Sequence, residues 1–192
     1  MAEDVRDRLL ASTVVCLGRY GIAKTNLDDA AREAGVARAT VYRHFPDGKE
    51  ELIAAAIGWA VREFFVDMAS SVDADAPFPE IIEQAIAHAY RAVDEHVVLQ
   101  KVLETEPERL LPHLSQAAPQ VTVMLGAYLA EKLEHADLKA GIDPAMAGEW
   151  IARMGLSFIL AGGRWDLTDP TQIRSLVREE LLAAVLTEEA LR

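Results

Sequence analysis

Residues 25–52 read TNLDDAAREAGVARATVYRHFPDGKEEL, and this stretch predicts two short helices joined by a tight turn, followed by the start of a third helix. Asn26 can cap the first helix, with Asp29 as the partner three residues on. Small apolar residues recur at helical spacing until Gly35, the expected left-handed stop, a conformation that glycine adopts without steric cost. Val36 supplies the apolar residue of the turn. Two helices joined in this way form a helix-turn-helix, whose second helix fits the major groove of DNA.

The second helix, expected from about Arg38 to Phe45, has the composition of a DNA-contacting element. Val41 and Phe45 lie four residues apart and are expected to face inward, while Pro46 ends the helix. The remaining side chains can donate hydrogen bonds to phosphates or base edges, and none of them is acidic. The residues expected on this outer face are Arg38, Thr40, Tyr42, Arg43 and His44.

Residues 35–52, GVARATVYRHFPDGKEEL, resemble the helix-turn-helix signature of the TetR family of one-component transcriptional regulators. The Gly-Val turn, the Thr-x-Tyr-x-His-Phe recognition helix and the Lys-Glu-Glu-Leu entry to the next helix carry the resemblance, which covers roughly the first quarter of the chain. The remainder agrees in length and helix pattern only. One departure is Ala37, where the family usually has a small polar capping residue; its absence should cost about 1 kcal/mol of local helix stability.

The expected DNA contacts divide into base-reading and phosphate-binding residues. Arg38 and Thr40, near the start of the recognition helix, are expected to reach bases, and Ala39 is close enough to touch a thymine methyl. Arg43 fits either role. The residues expected to hold phosphates are Tyr42, His44, Lys49 and either Thr25 or Asn26 at the preceding helix start.

Charge is distributed so that it permits a nucleic-acid partner despite a net charge of −12. The first 50 residues hold eight Lys and Arg against eight Asp and Glu, so all the excess acid lies in the rest of the chain. Binding should then depend on a few well-placed contacts, while an acidic body discourages non-specific binding. No apolar run is long enough to cross a bilayer and the N-terminus lacks a signal-peptide pattern, so no membrane partner and a cytoplasmic location are expected.

Helical periodicity recurs along the whole chain, which predicts an all-α fold of about nine helices. The chain is 51% hydrophobic and only 6% aromatic, a composition typical of helices packed through Ala, Leu, Val and Ile. A helix-turn-helix domain is expected over residues 1–46 and a ligand-binding and dimerisation domain over 47–192. Beyond the helix-turn-helix, helices are expected over 47–70, 79–95, 119–140, 143–161 and from 169 onward, with one or two short helices broken near Pro107 and Pro112, and with Glu104, Glu106 and Glu108 as a solvated face.

The last two predicted helices are apolar on more than one face, which predicts a twofold interface between two copies, with the stripe of residues 169–192 inside it. In the family that the chain resembles, the last two helices pair with their symmetry mates as a four-helix bundle. The resemblance also implies a small-molecule pocket in the body. The candidate ligand-binding residues, each of which is alternatively plain core, are His88, Met124, Tyr128, Trp150, Met154 and Phe158.

Met and aromatic residues on the seventh and eighth helices favour a largely apolar effector that enters between the fourth and eighth helices. A lipid or acyl chain is the first expectation and a flat aromatic compound the second. We interpret the sequence as a homodimeric repressor, released by this effector from a pseudo-palindromic double-stranded DNA operator. An activator of the same family remains an alternative.

Two other classes of protein compete with this interpretation. An enzyme is not expected, because the sequence shows no nucleophile–base pair, no phosphate-cradling glycine loop and no metal-ligand spacing, so neither a cofactor nor a metal is expected. A helical protein-interaction module without regulated DNA binding is the second alternative. Cys16 lies in an apolar stretch and is expected to be a small buried hydrophobic residue.

Overall fold

The computed structural model describes residues 4–161 and 163–191. This part of the chain contains nine α-helices, one π-helical turn and no strand, which confirms the predicted all-α fold. None of the described helices is long and apolar enough to cross a bilayer. The helices are α1 Val5–Tyr20, α2 Leu27–Glu33, α3 Arg38–His44, α4 Lys49–Ser71, α5 Phe78–Asp94, α6 Val97–Thr105, α7 Pro107–Leu133, α8 Pro144–Leu160 and α9 Pro170–Ser175, and the π-helical turn is Leu176–Leu181.

The described residues form two compact units, and each unit is built from two separate segments of the chain. The first unit contains the residues up to Phe65 together with His96–Ala118. The second contains Val66–Glu95 and the residues from Pro119 onward. The predicted helix-turn-helix therefore lies within a larger unit, which also includes α6 and the first turns of α7.

The core of the first unit begins where α2 and α3 pack against α1 and the start of α4. Ala30 and Ala31 are buried on α2, and their small side chains let this helix approach α1 closely. The buried residues of this cluster are Leu9, Leu10, Ala30, Ala31, Ala34, Val41, Phe45, Leu52 and Ala56.

A second cluster in the same unit packs α6 and the start of α7 against α1 and α4. Val102 of α6 and Leu110 of α7 are buried there with Leu17, Ile53 and Ile57. Burial of each side chain of this size stabilises the folded state by about 1.5–3 kcal/mol. Residues far along the sequence therefore belong to the same packed unit as the helix-turn-helix.

In the second unit, α5 packs against α8, α9 and the π-helical turn. The buried face of α5 contains Ile81, Ile82 and Ile86. Helices α7 and α8 also approach closely, because a Cβ added to Gly148 would overlap the carbonyl oxygen of Gly126 and lie 2.8 Å from a backbone nitrogen of α7. The missing side chain of Gly148 permits this close approach.

Helix α7 differs from the prediction because it continues through two prolines. The expected break at Pro107 is present, but Pro112 and Pro119 lie inside a single helix of 27 residues. An internal proline removes one helical hydrogen bond and costs about 3 kcal/mol. Both prolines are exposed, whereas Val121 and Leu125 of the same helix are buried. Burial of the apolar face offsets the cost, which a local propensity rule cannot anticipate.

The C-terminal helix is shorter than predicted, because α9 ends at Ser175 and only a π-helical turn follows it. After the π-helical turn, closed by the 2.8 Å bond from the Leu182 amide to the Val177 carbonyl, the backbone pairs with the α7–α8 connection instead. The Lys139 amide donates to the Val185 carbonyl at 2.9 Å, and the Thr187 amide donates to the Asp137 carbonyl at 3.0 Å. These bonds replace those that a longer helix would make.

The predicted interface stripe of the C-terminal segment is wrong in one respect, since its apolar residues are buried inside this chain. Ile173, Leu176, Val177, Leu181 and Val185 are each 4% exposed or less. These side chains are core residues of the second unit and are not available to a partner. The sequence showed that they were apolar, but it did not show that α5 and α8 cover them.

Candidate nucleic-acid interface

Helix α2 begins and ends as its sequence predicts. The Asn26 side chain accepts a 3.0 Å hydrogen bond from the Asp29 amide, which satisfies one of the free N–H groups of the first turn. Gly35 has a φ of 65°, and the Val36 amide donates to the Ala31 carbonyl at 3.0 Å. This closed turn sets the start of α3. Ala37, the N-cap of α3, makes no side-chain capping bond, as expected.

Helix α3 is oriented by two fully buried side chains, Val41 and Phe45. The side chains expected on its outer surface are on the opposite side, and none of them is acidic. Because the helix has seven residues and ends at His44, the outward face is short and nearly all of it can meet one groove. Its exposed residues are Arg38, Ala39, Tyr42 and Arg43, and its half-buried ones are Thr40 and His44.

Arg38 is held by two neighbours on the protein surface. Its Nη1 lies 2.9 Å from Oδ2 of Asp28 on α2, and its Nη2 donates to the Tyr42 hydroxyl at 3.2 Å. The guanidinium also lies 5.5 Å from the centre of the Tyr42 ring. The hydrogen bond with Tyr42 and then the charge of Asp28 raise the pKa of Arg38, so it is cationic at any relevant pH. Sequence reasoning missed Asp28, because no local pattern links it to a residue ten positions away.

Some of the residues predicted to hold phosphates lie at or beside the turn before α2. Lys49 donates from Nζ to the Ala23 carbonyl at 2.7 Å, which leaves two of its ammonium protons for an acidic ligand. Thr25 is 1% exposed and donates its hydroxyl to the Gly21 carbonyl at 2.7 Å. Asn26 is exposed. Two residues at this helix start were predicted to hold a phosphate. Asn26 is accessible, whereas the Thr25 hydroxyl is buried and already hydrogen-bonded within the protein.

The predicted ligand-binding residues all lie in the second unit. Five are half-buried: His88 on α5, Met124 and Tyr128 on α7, and Met154 and Phe158 on α8. The Nε2 atom of His88 is buried and makes no hydrogen bond, although it lies 3.4 Å from Oδ2 of Asp67. A cavity of about 620 Å³ lies elsewhere in this unit, beside the α7–α8 connection, and none of the predicted residues lines it.

Trp150 differs from the other five because it is exposed, as are several other apolar side chains of α7 and α8. It is 37% exposed, and Met146, one turn earlier on the same helix, is 75% exposed. Leu160 at the end of α8 is 76% exposed, and Val123 on α7 is 70% exposed. Several large apolar side chains exposed on two helices that pack together are a candidate for a surface that another protein covers.

The helix-turn-helix matches a known family. Residues 9–56 match the family model described as bacterial regulatory proteins, tetR family. An HTH-type transcriptional regulator from Mycobacterium bovis is 30% identical over 110 residues, which are 56% of this chain and 54% of that protein. Relatives from Mycobacterium tuberculosis match over the same lengths with the same identity. The helix-turn-helix part of the chain therefore matches the tetR family of bacterial regulatory proteins, and the chain spans about half the length of the curated relatives that it matches.

Solved structures of other proteins share the fold over nearly the whole chain. RolR without ligand has a TM-score of 0.61 at 16% identity and covers 96% of this chain and 94% of its own. The repressor QsdR of R. erythropolis has a TM-score of 0.60 at 18% identity, with 92% and 95% covered. A complex of SmeT with triclosan has a TM-score of 0.55 at 21% identity, with 98% and 94% covered. At these identities the likeness shows the fold.

Proposed function

We propose that this protein is a homodimeric, ligand-responsive DNA-binding transcriptional regulator, which acts as a repressor that a small apolar effector releases from its operator. The observation that carries the proposal is the outer face of α3. Buried Val41 and Phe45 fix the orientation of α3, so its cationic and hydroxyl side chains lie on the solvent side. None of the residues of α3 is acidic. Such a protein acts on chromosomal DNA, so its place of action is the cytoplasm.

On DNA, α3 would enter the major groove with its N-terminal end towards the bases. Arg38 and Thr40 would then read base edges, while Tyr42, His44, Lys49 and Asn26 would hold phosphates. Since one short helix makes few contacts, tight binding needs two copies on a pseudo-palindrome. A dimer would place its two helices one helical turn of DNA apart, or a multiple of it.

The exposed face of α7 and α8 is the surface that we assign to the second copy. Val123, Met146, Trp150 and Leu160 are exposed on these two helices, which lie in close contact at Gly148. Two such helix pairs would cover one another as a four-helix arrangement, with the same patch used by both copies. This assignment replaces the stripe of residues 169–192, and it moves Trp150 from the predicted ligand wall to the interface.

The effector would be largely apolar and would bind in the second unit. Met124 and Tyr128 on α7 and Met154 and Phe158 on α8 supply adaptable and aromatic side chains. The buried Nε2 of His88 makes no hydrogen bond, so it is a candidate polar contact for the ligand. Among the structural relatives, one is SmeT bound to triclosan and another is described as a fatty acid degradation regulator, FadR from Bacillus halodurans. The triclosan complex supports an aromatic effector here, since a protein of the same fold holds such a compound.

Selection of duplexes from a random pool by the purified protein tests this proposal. We expect enrichment of a pseudo-palindrome and binding that weakens steeply with salt. Arg43→Ala should reduce binding, whereas Arg62→Ala on the exposed surface of α4 serves as the matched control. Recovery of random sequences with no preference would favour the alternative of a protein-interaction module.

A further inference from the structure

The turn between α1 and α2 is held by a residue from a distant part of the sequence. The backbone amide of Ile22 donates to Oε1 of Glu106 at 3.0 Å, and the amide of Ala23 donates to Oε2 of the same carboxylate at 2.8 Å. Each oxygen therefore accepts one amide, an arrangement in which the charge strengthens both hydrogen bonds. The Glu106 side chain is only 17% exposed, so the predicted solvated face does not include it.

The turn is shaped to receive this carboxylate. Gly21 has a φ of 81°, which favours glycine, and a Cβ added there would overlap Oε1 of Glu106. Helix α6 ends at Thr105, so Glu106 lies at the corner between α6 and α7. The same helix is fixed to α1 by the Lys101 Nζ, which donates to the Gly18 carbonyl at 3.2 Å. A glycine with no side chain and a docked helix together bring the carboxylate to the turn.

The peptide groups of Ala23 connect this carboxylate to the proposed phosphate-binding end of the site. Its N–H donates to Glu106, while its carbonyl accepts from Lys49 Nζ at 2.7 Å. Asn26, which caps α2, follows three residues later. Movement of the turn would therefore displace both Lys49 and the start of α2.

We propose that Glu106 is a positioning residue for DNA binding, which holds the Gly21–Thr25 turn so that Lys49 and Asn26 meet DNA phosphates. This inference rests on the proposed function for its DNA-binding part, whereas the carboxylate–turn contact can be tested without DNA. Because Glu106 lies on neither helix of the helix-turn-helix, any event that moves the α6–α7 corner also changes DNA affinity. Linkage then requires DNA to favour the arrangement in which the carboxylate is seated.

Amide hydrogen exchange in the free protein tests the contact itself. In Glu106→Ala, the amides of Ile22 and Ala23 should exchange at least about tenfold faster, while amides in the buried core of α1 keep their wild-type rates. Glu106→Gln retains one acceptor oxygen and should protect one of the two amides. Arg109→Ala, which removes a neighbouring cation 3.7 Å from the carboxylate, is the matched control and should leave both amides protected. Unchanged exchange at Ala23 in Glu106→Ala would overturn the proposal.

Binding to the selected duplex tests the positioning role. Glu106→Ala should bind about tenfold more weakly than wild type, with an intermediate effect for Glu106→Gln and little effect for Arg109→Ala. If Glu106 acts through Lys49, the loss of DNA affinity caused by Glu106→Ala should be clearly smaller in a Lys49→Ala background than in the wild-type background. Equal losses in both backgrounds would show a merely structural role and overturn the positioning role. If wild type selects no duplex, the proposed function and this DNA role both fail, and the exchange data still decide the contact.

Discussion

Arg38 on the recognition helix and Asp28 on the helix before it form an ion pair, with Nη1 of Arg38 2.9 Å from Oδ2 of Asp28. Both side chains are more than half exposed, and such pairs contribute only about 0–1 kcal/mol to stability. The pair therefore matters for orientation, because Asp28 and the Tyr42 ring together hold the guanidinium in one place. A side chain that is ordered before binding loses less entropy when it meets a base.

This arrangement predicts different results for two cationic residues. Arg38→Ala should relax sequence preference at one position of each half-site, with a loss of about 1–3 kcal/mol against the preferred base. Lys49→Ala should weaken binding to all sequences and reduce the salt slope by about one unit. Competition binding with half-site variants over a range of salt concentrations measures both quantities. Should the two variants change preference and salt slope alike, the division into base and phosphate contacts would be incorrect.

Two glycines on α8 offer a matched test of the α7–α8 contact. Gly148→Ala adds a Cβ that would overlap the Gly126 carbonyl, so the helices must separate and the protein should lose stability. Gly155 has no atom within 4 Å of the position of an added Cβ, so Gly155→Ala should be neutral or raise stability by up to about 1 kcal/mol through helix propensity. Thermal unfolding of both variants gives the comparison. Similar unfolding temperatures would show that α7 and α8 do not meet at Gly148.

The helix-turn-helix could be read from the sequence because its signals are local. Capping by Asn26, the turn at Gly35 and the inward pair Val41 and Phe45 each depend on residues within one or two helical turns. The same local rules failed at Pro112, where buried residues elsewhere on the helix decide the outcome.

The contacts of the candidate site were harder to predict because their partners are distant in sequence. Glu106 lies 84 residues from Ile22, and only the packing of α6 on α1 brings them together. The burial of the apolar C-terminal residues was hard to predict for the same reason. The sequence shows that Leu181 is apolar, but it does not show which helix covers this residue. The predicted ligand residues and their roles remain predictions.

The dimer assignment predicts opposite results for buried and exposed apolar residues. Met146→Ser and Leu160→Ser, at exposed positions of α8, should leave each chain folded but weaken self-association. Leu181→Ala, at a position with no exposure, should lower the free energy of unfolding by about 2–5 kcal/mol. Sedimentation velocity and denaturant unfolding separate the two effects. A Met146→Ser, Leu160→Ser protein that stays dimeric at submicromolar concentration would place the interface elsewhere.

Cys16 gives a prediction about pH. It is 1% exposed, and burial, followed by the nearby charge of Glu33, raises the pKa of its thiol. The folded state therefore disfavours the thiolate, and this contribution to stability is present below the unfolded thiol pKa of about 8.5 and is lost as pH rises. Wild-type stability should fall more steeply above that pH than the stability of Cys16→Ala, as measured by urea unfolding across a pH series. Parallel curves would contradict the raised pKa.

The proposed switch requires that a ligand in the second unit weaken DNA binding. A tenfold reduction in operator affinity needs about 1.4 kcal/mol of coupling, and operator DNA must weaken the ligand by the same factor. Met154→Trp and Phe158→Trp would fill the space beside these half-buried residues, so each should bind the operator normally and ignore a saturated fatty acid or triclosan that releases wild type. Val97→Trp, at a 78% exposed position on α6 outside both the proposed pocket and the proposed interface, is the matched control for ligand release. Fluorescence anisotropy of labelled operator with each compound measures release. If the ligand concentration that releases wild type also releases both Met154→Trp and Phe158→Trp from the operator, the effector binds elsewhere.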